Sequence, residues 1–227
     1  MKLVIFDMDQ TLIEVITVHD EATRQVFLSL YRIEARLTEI DYAGRSLRES
    51  FVELARVKGL PADEVRGRLD EMLSAYDVAF DRTIPADATP YVLPGVFPLL
   101  EALAHTDHLP MLYTGDSRPV VRAVFRTTGL GKYFRDVFCG TEVKARADMV
   151  RQALARAKEM TGREFSGKDI VIIGDSARDI ECGKQFNARV IALLTGHHTV
   201  ERLAALKPDY LFPDLTDTAK VLEAIGR

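Results

Sequence analysis

The sequence predicts an α/β fold in which helices cover a parallel β-sheet and a helical segment is inserted after the first strand. Short continuous apolar runs, typical of strands buried on both faces, alternate along the chain with segments of helical periodicity. This alternation is the usual pattern of a parallel sheet. In addition, about a hundred residues separate the first apolar run from the second, and a structureless loop of that length is uncommon in a compact domain.

The predicted strands begin with the run Met-Lys-Leu-Val-Ile-Phe at residues 1–6. Similar runs follow at Leu109–Tyr113, Asp169–Ile173 and Arg189–Leu194, with weaker ones at Val137–Phe138 and Tyr210–Phe212. Helical patterns lie between most of these strands, at Pro119–Thr128, Ala147–Met160 and Ala177–Phe186.

Most of the interval between the first two strands has helical periodicity. Ser46 and Glu49 match the S-x-x-E capping box that opens a helix. Gly59 followed by Pro61 ends that helix and begins another, and a cluster of prolines near Gly95 marks the return to the sheet. The sequence therefore predicts a helical insert over residues 14–86, with residues 1–13 and 87–227 forming the sheet domain.

Composition excludes several classes of protein. The 227 residues carry 30 Lys and Arg against 34 Asp and Glu, a net charge of −4, whereas nucleic-acid binders usually have a basic surplus. No apolar stretch approaches the ~18 residues of a membrane span, and Asp7 comes too early for the ~7–15-residue apolar region of a signal peptide. The two cysteines have no metal or redox spacing. We therefore expect a cytoplasmic protein with a small-molecule ligand and neither a membrane nor a nucleic-acid partner.

Polar residues follow several of the predicted strands, at the sheet edge where α/β proteins bind ligands. They are Asp7, Asp9, Thr114, Gly115, Asp175 and Asp179, with Lys144 just before a predicted helix. A single strand-end carboxylate often does no more than cap the next helix. Asp7 and Asp9 together repel each other, by about 4 kcal/mol at ~4 Å and an effective dielectric of ~20. A divalent cation with oxygen ligands is the natural compensation.

These residues resemble a known family. Asp7-Met8-Asp9-Gln10-Thr11-Leu12, Thr114-Gly115, Lys144 and Gly174-Asp175-Ser176-Ala177-Arg178-Asp179 are similar to the four motifs of the haloacid dehalogenase-like hydrolases, and most similar to the phosphoglycolate phosphatase-like subgroup. The resemblance covers nearly the whole chain and implies a Rossmann-like core with a helical cap. Gln10 stands where the family often has glycine. Lys144 lacks the prolines of the usual Lys-Pro-x-Pro motif, which leaves Arg146 as the alternative cation.

The resemblance also implies an activity, namely hydrolysis of a small phosphorylated metabolite by a Mg²⁺-dependent phosphatase. Asp7 would be the nucleophile that forms an aspartyl-phosphate, and Asp9 the general acid and base. Mg²⁺ would bind Asp7, the backbone carbonyl of Asp9, and Asp175. We expect this enzyme to be a monomer or a homodimer.

The remaining motif residues would bind the phosphoryl group. Thr114 and the amide of Gly115 would contact its oxygens, Lys144 would supply positive charge, and Asp179 would orient Lys144 or a metal-bound water. In the insert, Arg45 lies in a turn before the capping-box helix. It is a candidate for binding a second anionic group of the substrate, because guanidinium suits carboxylate and phosphate; the alternative is an ordinary surface arginine.

Three other functions are compatible with parts of this pattern. A phosphomutase similar to β-phosphoglucomutase would share the nucleophile and the acid, but would exclude water and keep the phosphoryl group. A true haloacid dehalogenase would need neither Asp9 nor a metal, so Asp9 and Asp175 count against it. A catalytically idle interaction module would show a damaged site, whereas every charged motif residue is present here.

Overall fold

The computed structural model describes residues 1–227, which form a six-stranded, wholly parallel sheet. The strands are β1 (Leu3–Phe6), β2 (Leu109–Thr114), β3 (Val137–Cys139), β4 (Ile170–Gly174), β5 (Arg189–Leu193) and β6 (Tyr210–Phe212). Their order across the sheet is β3-β2-β1-β4-β5-β6, which places β1 between β2 and β4. The predicted Rossmann-like α/β fold is confirmed, and strand order reverses beside β1, where such sheets bind ligands.

Ten helices connect and cover the strands. They are α1 (Ile16–Tyr31), α2 (Leu47–Val57), α3 (Ala62–Gly67), α4 (Leu69–Thr83), α5 (Val96–Ala104), α6 (Arg118–Thr128), α7 (Arg146–Thr161), α8 (Ala177–Gln185), α9 (Val200–Ala205) and α10 (Thr218–Gly226). The capping box predicted from Ser46 and Glu49 does open α2, since each side chain bonds the other residue's backbone N–H. None of the ten has the length and apolar character that crossing a membrane requires.

The main hydrophobic core is shared by the sheet and the helical segment α1–α4, called the insert below. Side chains of a strand alternate between faces, so Val4 and Phe6 join the core that extends into the insert, while Leu3 and Ile5 join a second core on the opposite face. Because all four are fully buried, β1 can only be a central strand. This explains why its sequence is continuously apolar.

The chain leaves the sheet for the insert and returns from it at adjacent points. The backbone N–H of Glu14 donates to the carbonyl of Tyr91 at 2.9 Å, and the N–H of Leu93 donates to that of Leu12 at 2.9 Å. Both connections lie just beyond the carboxyl end of β1, so the insert is attached beside the predicted site. The division into domains at residues 14 and 87 stays a prediction.

Candidate active site

The turn after β1 places two carboxylates at the edge of the sheet. The N–H of Asp7 donates to the Ile173 carbonyl of β4 at 2.9 Å, which continues the strand pairing into the site. Gln10 has a φ of 59°, a left-handed conformation that favours glycine. Its side chain bonds the Glu14 carboxylate and its carbonyl accepts a hydrogen bond from the Thr195 hydroxyl. These contacts hold the turn in the shape for which the family often uses glycine.

Arg146, the first residue of α7, lies against the nucleophile candidate. Its Nη2 is 2.6 Å from Oδ1 of Asp7 and 2.5 Å from Oδ1 of Asp179. The guanidinium carbon lies 4.1 Å from the centre of the Tyr113 ring, and the Tyr113 hydroxyl donates to the same Asp179 oxygen at 2.5 Å. Only 11% of the Arg146 side chain is exposed, so water screens these contacts little.

The structure does not bring Lys144 to this position. Lys144 is exposed, forms no ion pair, and lines a smaller neighbouring cavity with Gly44 and Gly115. It precedes α7 in extended chain, whereas Arg146 begins the helix and packs on the Tyr113 ring. The cation expected at residue 144 is therefore displaced by two residues. Without the prolines of the usual motif, nothing in the sequence fixes which of the two basic residues faces the carboxylates.

Three buried carboxylates converge beside Arg146. Ligand atoms of Asp7, Asp175 and Asp179 all lie within 4.8 Å of one another. Burial raises the pKa of Asp7 to about 8. The positive charge of Arg146 opposes this rise only in part, and the negative charges of Asp179 and Asp9 add to it. Burial and the charges of Asp7 and Asp179 likewise raise the pKa of Asp175 well above its usual range. One arginine therefore does not offset the mutual repulsion of three buried carboxylates, so without a further cation the protonated forms of Asp7 and Asp175 are favoured.

The donor set fits a hard divalent cation. Mg²⁺ and Ca²⁺ prefer carboxylate and carbonyl oxygens, and a bound cation supplies the charge that the cluster lacks. The Thr11 hydroxyl donates to Oδ1 of Asp175 at 3.1 Å, which orients that carboxylate. Gly196 packs so closely that a Cβ there would lie 2.0 Å from Oδ2 of Asp175. The expected carboxylate ligands are therefore brought together, and this cluster can bind a divalent metal.

The end of β2 meets the insert. Thr114 is buried, and its hydroxyl lies 3.3 Å from Oδ2 of Asp116. The carbonyl of Gly115 accepts a hydrogen bond from the Leu47 N–H at 3.0 Å. A Cβ on Gly115 would lie 2.0 Å from the backbone oxygen of Arg45, so only glycine permits this close approach. The phosphate-binding candidates Thr114 and Gly115 therefore lie directly under the turn that carries Arg45.

Asp9 has a partner on the insert that the sequence analysis did not identify. His19 of α1 is buried, with Nε2 3.0 Å from Oδ1 of Asp9 and Nδ1 against the hydroxyl of Tyr76 on α4. Burial alone raises the pKa of Asp9, but the adjacent His19 outweighs it, and the net pKa is lowered. Tyr76 is fully buried, so its ring packs in the core while its hydroxyl contacts His19. The sequence around His19 did not indicate this contact with Asp9, because a single histidine in a helical segment has no distinguishing spacing.

Asp116 is a second residue of the site that was not predicted, and it is acidic. It follows Thr114-Gly115, is buried, and lies within the cluster formed with Asp9 and His19. Burial, together with the charges of Asp9 and Asp7, raises its pKa well above the usual range. Its position in the motif could have singled it out, since a carboxylate beside a phosphate-binding loop is electrostatically unfavourable.

One pocket between the sheet edge and the insert collects most of these side chains. It is lined by Asp7, Asp9, Thr114, Gly115, Asp175, Arg45, Arg146, His19, Asp116 and Tyr42, among others. Asp179 is fully buried behind Arg146. Arg45 is in no ion pair, and its Nε donates to the Asp41 carbonyl at 2.7 Å. The structure thus brings together every predicted site residue except Lys144.

Comparison with known proteins agrees with this geometry. The sequence model of the haloacid dehalogenase-like hydrolases matches residues 1–187. The chain belongs to the haloacid dehalogenase-like hydrolases. The predicted family and enzyme class, a hydrolase, are therefore confirmed, and the intact motifs give the idle-module alternative no support.

Individual relatives of this hydrolase are distant. Pyrophosphatase PpaX of Listeria monocytogenes is 26% identical over 96% of this chain and 94% of its own. Phosphoglycolate phosphatase of Vibrio vulnificus is 23% identical over 98% and 96%. Among solved structures, β-phosphoglucomutase from Clostridium difficile superposes with a TM-score of 0.76 at 15% identity, covering 99% of this chain and 97% of that one. At that identity the last comparison supports the fold alone.

Proposed function

We propose that this hydrolase is a Mg²⁺-dependent phosphatase that acts on a small phosphorylated metabolite through an aspartyl-phosphate. The observation that carries the proposal is the contact of Arg146 with Asp7, in a pocket that also holds Asp9 and Asp175. A nucleophile, a proton donor, a fixed cation and a metal-binding cluster then face one space. The phosphatase names of the two sequence relatives support the same reading.

In the first half-reaction, a carboxylate oxygen of Asp7 forms a bond to phosphorus while the bond from phosphorus to the leaving oxygen breaks. The electron pair goes to the leaving oxygen, which takes a proton from Asp9. A dianionic phosphate beside Asp9 disfavours a second negative charge there and raises its pKa, which suits the acid role. Such positioned proton transfer contributes about 10²–10⁴ in rate.

In the second half-reaction, Asp9 takes a proton from a water molecule, whose oxygen attacks phosphorus. The bond between phosphorus and Asp7 breaks, the carboxylate of Asp7 is restored, and inorganic phosphate leaves. Using a covalent intermediate divides one difficult displacement into two easier ones. Arg146 and the Thr114 hydroxyl hold the phosphoryl oxygens in both halves, and buried Asp179 keeps Arg146 in position.

Asp7, Asp175 and the carbonyl of Asp9 would hold the Mg²⁺, which when bound reduces the repulsion between the nucleophile and an anionic substrate. Arg45 extends the site toward the insert. Arg45 lines the pocket and its guanidinium has no carboxylate partner, so it would bind a second anionic group of the substrate. The predicted cytoplasmic location and the monomeric or dimeric state are parts of the same proposal.

Phosphate release from p-nitrophenyl phosphate and a metabolite panel, with Mg²⁺ and with EDTA, tests the proposal. We expect turnover that requires the metal and that Asp7→Asn abolishes without loss of the folded state. Asp63→Asn, the same change at a fully exposed carboxylate of the insert, is the matched control and keeps its activity. Turnover in Asp7→Asn would assign the nucleophile elsewhere. Absence of turnover in the native protein on every substrate would restore the idle-module alternative.

The phosphomutase alternative gives a different product with the same chemistry at Asp7. With a sugar phosphate labelled in the phosphoryl group, a phosphatase releases the label as inorganic phosphate, whereas a mutase returns it to the sugar. Phosphorus NMR separates the two products. We expect inorganic phosphate, and a label retained on the sugar would replace the proposal with the mutase.

A further inference from the structure

One polar atom of the pocket has no partner on the protein. The hydroxyl oxygen of Tyr42 is buried and forms no hydrogen bond, although the tyrosine ring itself is partly exposed and lines the pocket. Buried polar groups in proteins are almost always satisfied, because an unmet hydroxyl loses its bonds to water without replacing them. The Tyr42 hydroxyl is therefore available to donate a hydrogen bond to a ligand in the pocket.

The Tyr42 ring and the backbone beside it both make contacts that hold the residue in place. It packs edge-to-face on His197, from the loop after β5, with ring centres 5.1 Å apart. Its carbonyl accepts a hydrogen bond from the N–H of Arg45 at 2.9 Å, which closes the turn. Next to it, Arg178 of α8 donates to the carbonyl of Ala43. The sheet domain and the insert thus fix this hydroxyl jointly before any ligand binds.

The tightness of the turn supports that rigidity. Gly44 has a φ of +68°, and a Cβ there would lie 2.6 Å from Oγ of Ser176 and 2.9 Å from Cβ of Arg178. The Gly44 carbonyl is also 3.4 Å from Nη1 of Arg146. The turn cannot move without breaking its contacts to the sheet domain.

The charge around Tyr42 determines which role its hydroxyl can take. Burial, with the nearby carboxylates of Glu14, Asp9 and Asp175, raises the pKa of Tyr42 well above its usual range. The phenol therefore stays protonated at neutral pH and acts as a donor. None of these carboxylates is within hydrogen-bond distance of it. Arg45, two peptide units beyond Ala43, also lines the pocket, is in no ion pair, and donates its Nε to the Asp41 carbonyl.

We propose that the Tyr42 hydroxyl is a specificity-determining donor, which binds an oxyanion of the substrate other than the transferred phosphoryl group. This rests on the proposed function and narrows it to phosphorylated metabolites that carry a second oxyanion, such as a carboxylate. Arg45 supplies the charge for that group, and Tyr42 supplies a neutral, directional hydrogen bond from the same turn.

The experiment compares 2-phosphoglycolate with ethyl phosphate, which replaces the carboxylate by a methyl group and is otherwise similar in size. The measured quantity is the ratio of kcat/KM for the two compounds, by phosphate release. Because a hydrogen bond to a charged group is worth about ten- to a hundredfold, we expect Tyr42→Phe to lower this ratio about tenfold or more. Tyr91→Phe, at an exposed tyrosine outside the pocket, is the matched control and leaves the ratio unchanged.

A second measurement separates this inference from the proposed function. In the Asp7→Asn background, calorimetry gives the Kd of both compounds without turnover, and adding Tyr42→Phe should weaken phosphoglycolate binding selectively. Native protein that hydrolyses neither these two compounds nor any member of the metabolite panel would refute the proposed function, while the Kd ratio still decides the role of Tyr42.

An unchanged ratio in both measurements would overturn the inference. So would a Tyr42→Phe variant whose only change is the Mg²⁺ concentration for half-activation, because the hydroxyl would then serve the metal site. Thermal unfolding provides the remaining check. Since Phe keeps the ring and removes only an unpaired hydroxyl, we expect an unchanged or higher unfolding midpoint, and a lower one would assign the hydroxyl a structural role.

Discussion

Replacing Arg146 with glutamine tests the assignment of the active-site cation. The substitution removes the positive charge and keeps a polar side chain of intermediate length at the start of α7. In the structure, one nitrogen of Arg146 contacts both Asp7 and Asp179, at 2.6 and 2.5 Å. Glutamine cannot replace the charge, so the expected loss is electrostatic rather than steric.

The size of the loss can be worked from those contacts. A hydrogen bond between charged groups contributes about 1.5–3 kcal/mol, and each 1.36 kcal/mol corresponds to tenfold in rate. One contact of the guanidinium with the phosphoryl group in the transition state is then worth about 10- to 100-fold. Because the guanidinium can make more than one such contact in the proposed mechanism, we expect kcat/KM to fall by about 10²- to 10³-fold.

The assay is phosphate release at saturating Mg²⁺ for Arg146→Gln and for Lys144→Gln. The two variants make the same chemical change two residues apart, so each controls for the other, and circular dichroism confirms that both fold. We expect Lys144→Gln to lose less than about threefold, since that side chain is exposed and unpaired. A loss in Lys144→Gln equal to that in Arg146→Gln would refute the assignment of Arg146.

Three further predictions concern neighbouring parts of the site. Asp9→Asn should lower kcat about 10²- to 10⁴-fold for alkyl phosphates. The loss should be much smaller for p-nitrophenyl phosphate, because its leaving group hardly needs a proton. Equal losses for the two substrates would exclude Asp9 as the general acid. Mg²⁺ at about 100 times its Kd should stabilise the native protein by about 2.7 kcal/mol, which corresponds to a rise of roughly 5–10 °C in the unfolding midpoint. The variant Asp175→Asn should show no such rise. If the rise persists in that variant, the metal binds elsewhere. Gly115→Ala should lower both kcat/KM and the unfolding midpoint, because the added methyl group would clash with the Arg45 carbonyl. We expect the midpoint to fall by roughly 2–10 °C. Unchanged values in both assays would show that the turn can shift to accommodate the methyl group.

The sheet and the acidic residues could be predicted from the sequence for one physical reason. A buried parallel strand has a continuous apolar sequence, and its carboxyl end must lie at the same edge as those of its neighbours. Asp7 and Asp175 were therefore expected at the same edge of the sheet, and the strand order, with β1 next to β4, brings them together. The capping box at Ser46 could also be predicted from the sequence, because its two reciprocal hydrogen bonds join residues only three positions apart.

The residues that could not be predicted depend on contacts between distant segments. Whether Lys144 or Arg146 faces the nucleophile is decided by packing on Tyr113, which no local pattern encodes. His19 reaches Asp9 only because α1 folds back over the sheet edge, and Tyr76 joins it from α4. The second insert helix of the prediction divides into α3 and α4 at Arg68, a break that follows Gly67.

The paired connections at Leu12 with Leu93 and Glu14 with Tyr91 hold the two ends of the insert next to each other at the edge of the sheet. Backbone hydrogen bonds join the chain just before the insert to the chain just after it. The insert therefore begins and ends at the same point of the sheet domain. The entropy of closing a flexible loop grows only logarithmically, by about 0.6 kcal/mol for each doubling of its length. Added residues in an exposed loop of the insert therefore cost little closure entropy, whereas the insert helices that share the main core with the sheet must be kept. The loops of the insert can thus change, and selectivity with them, while the position of β1 stays constant.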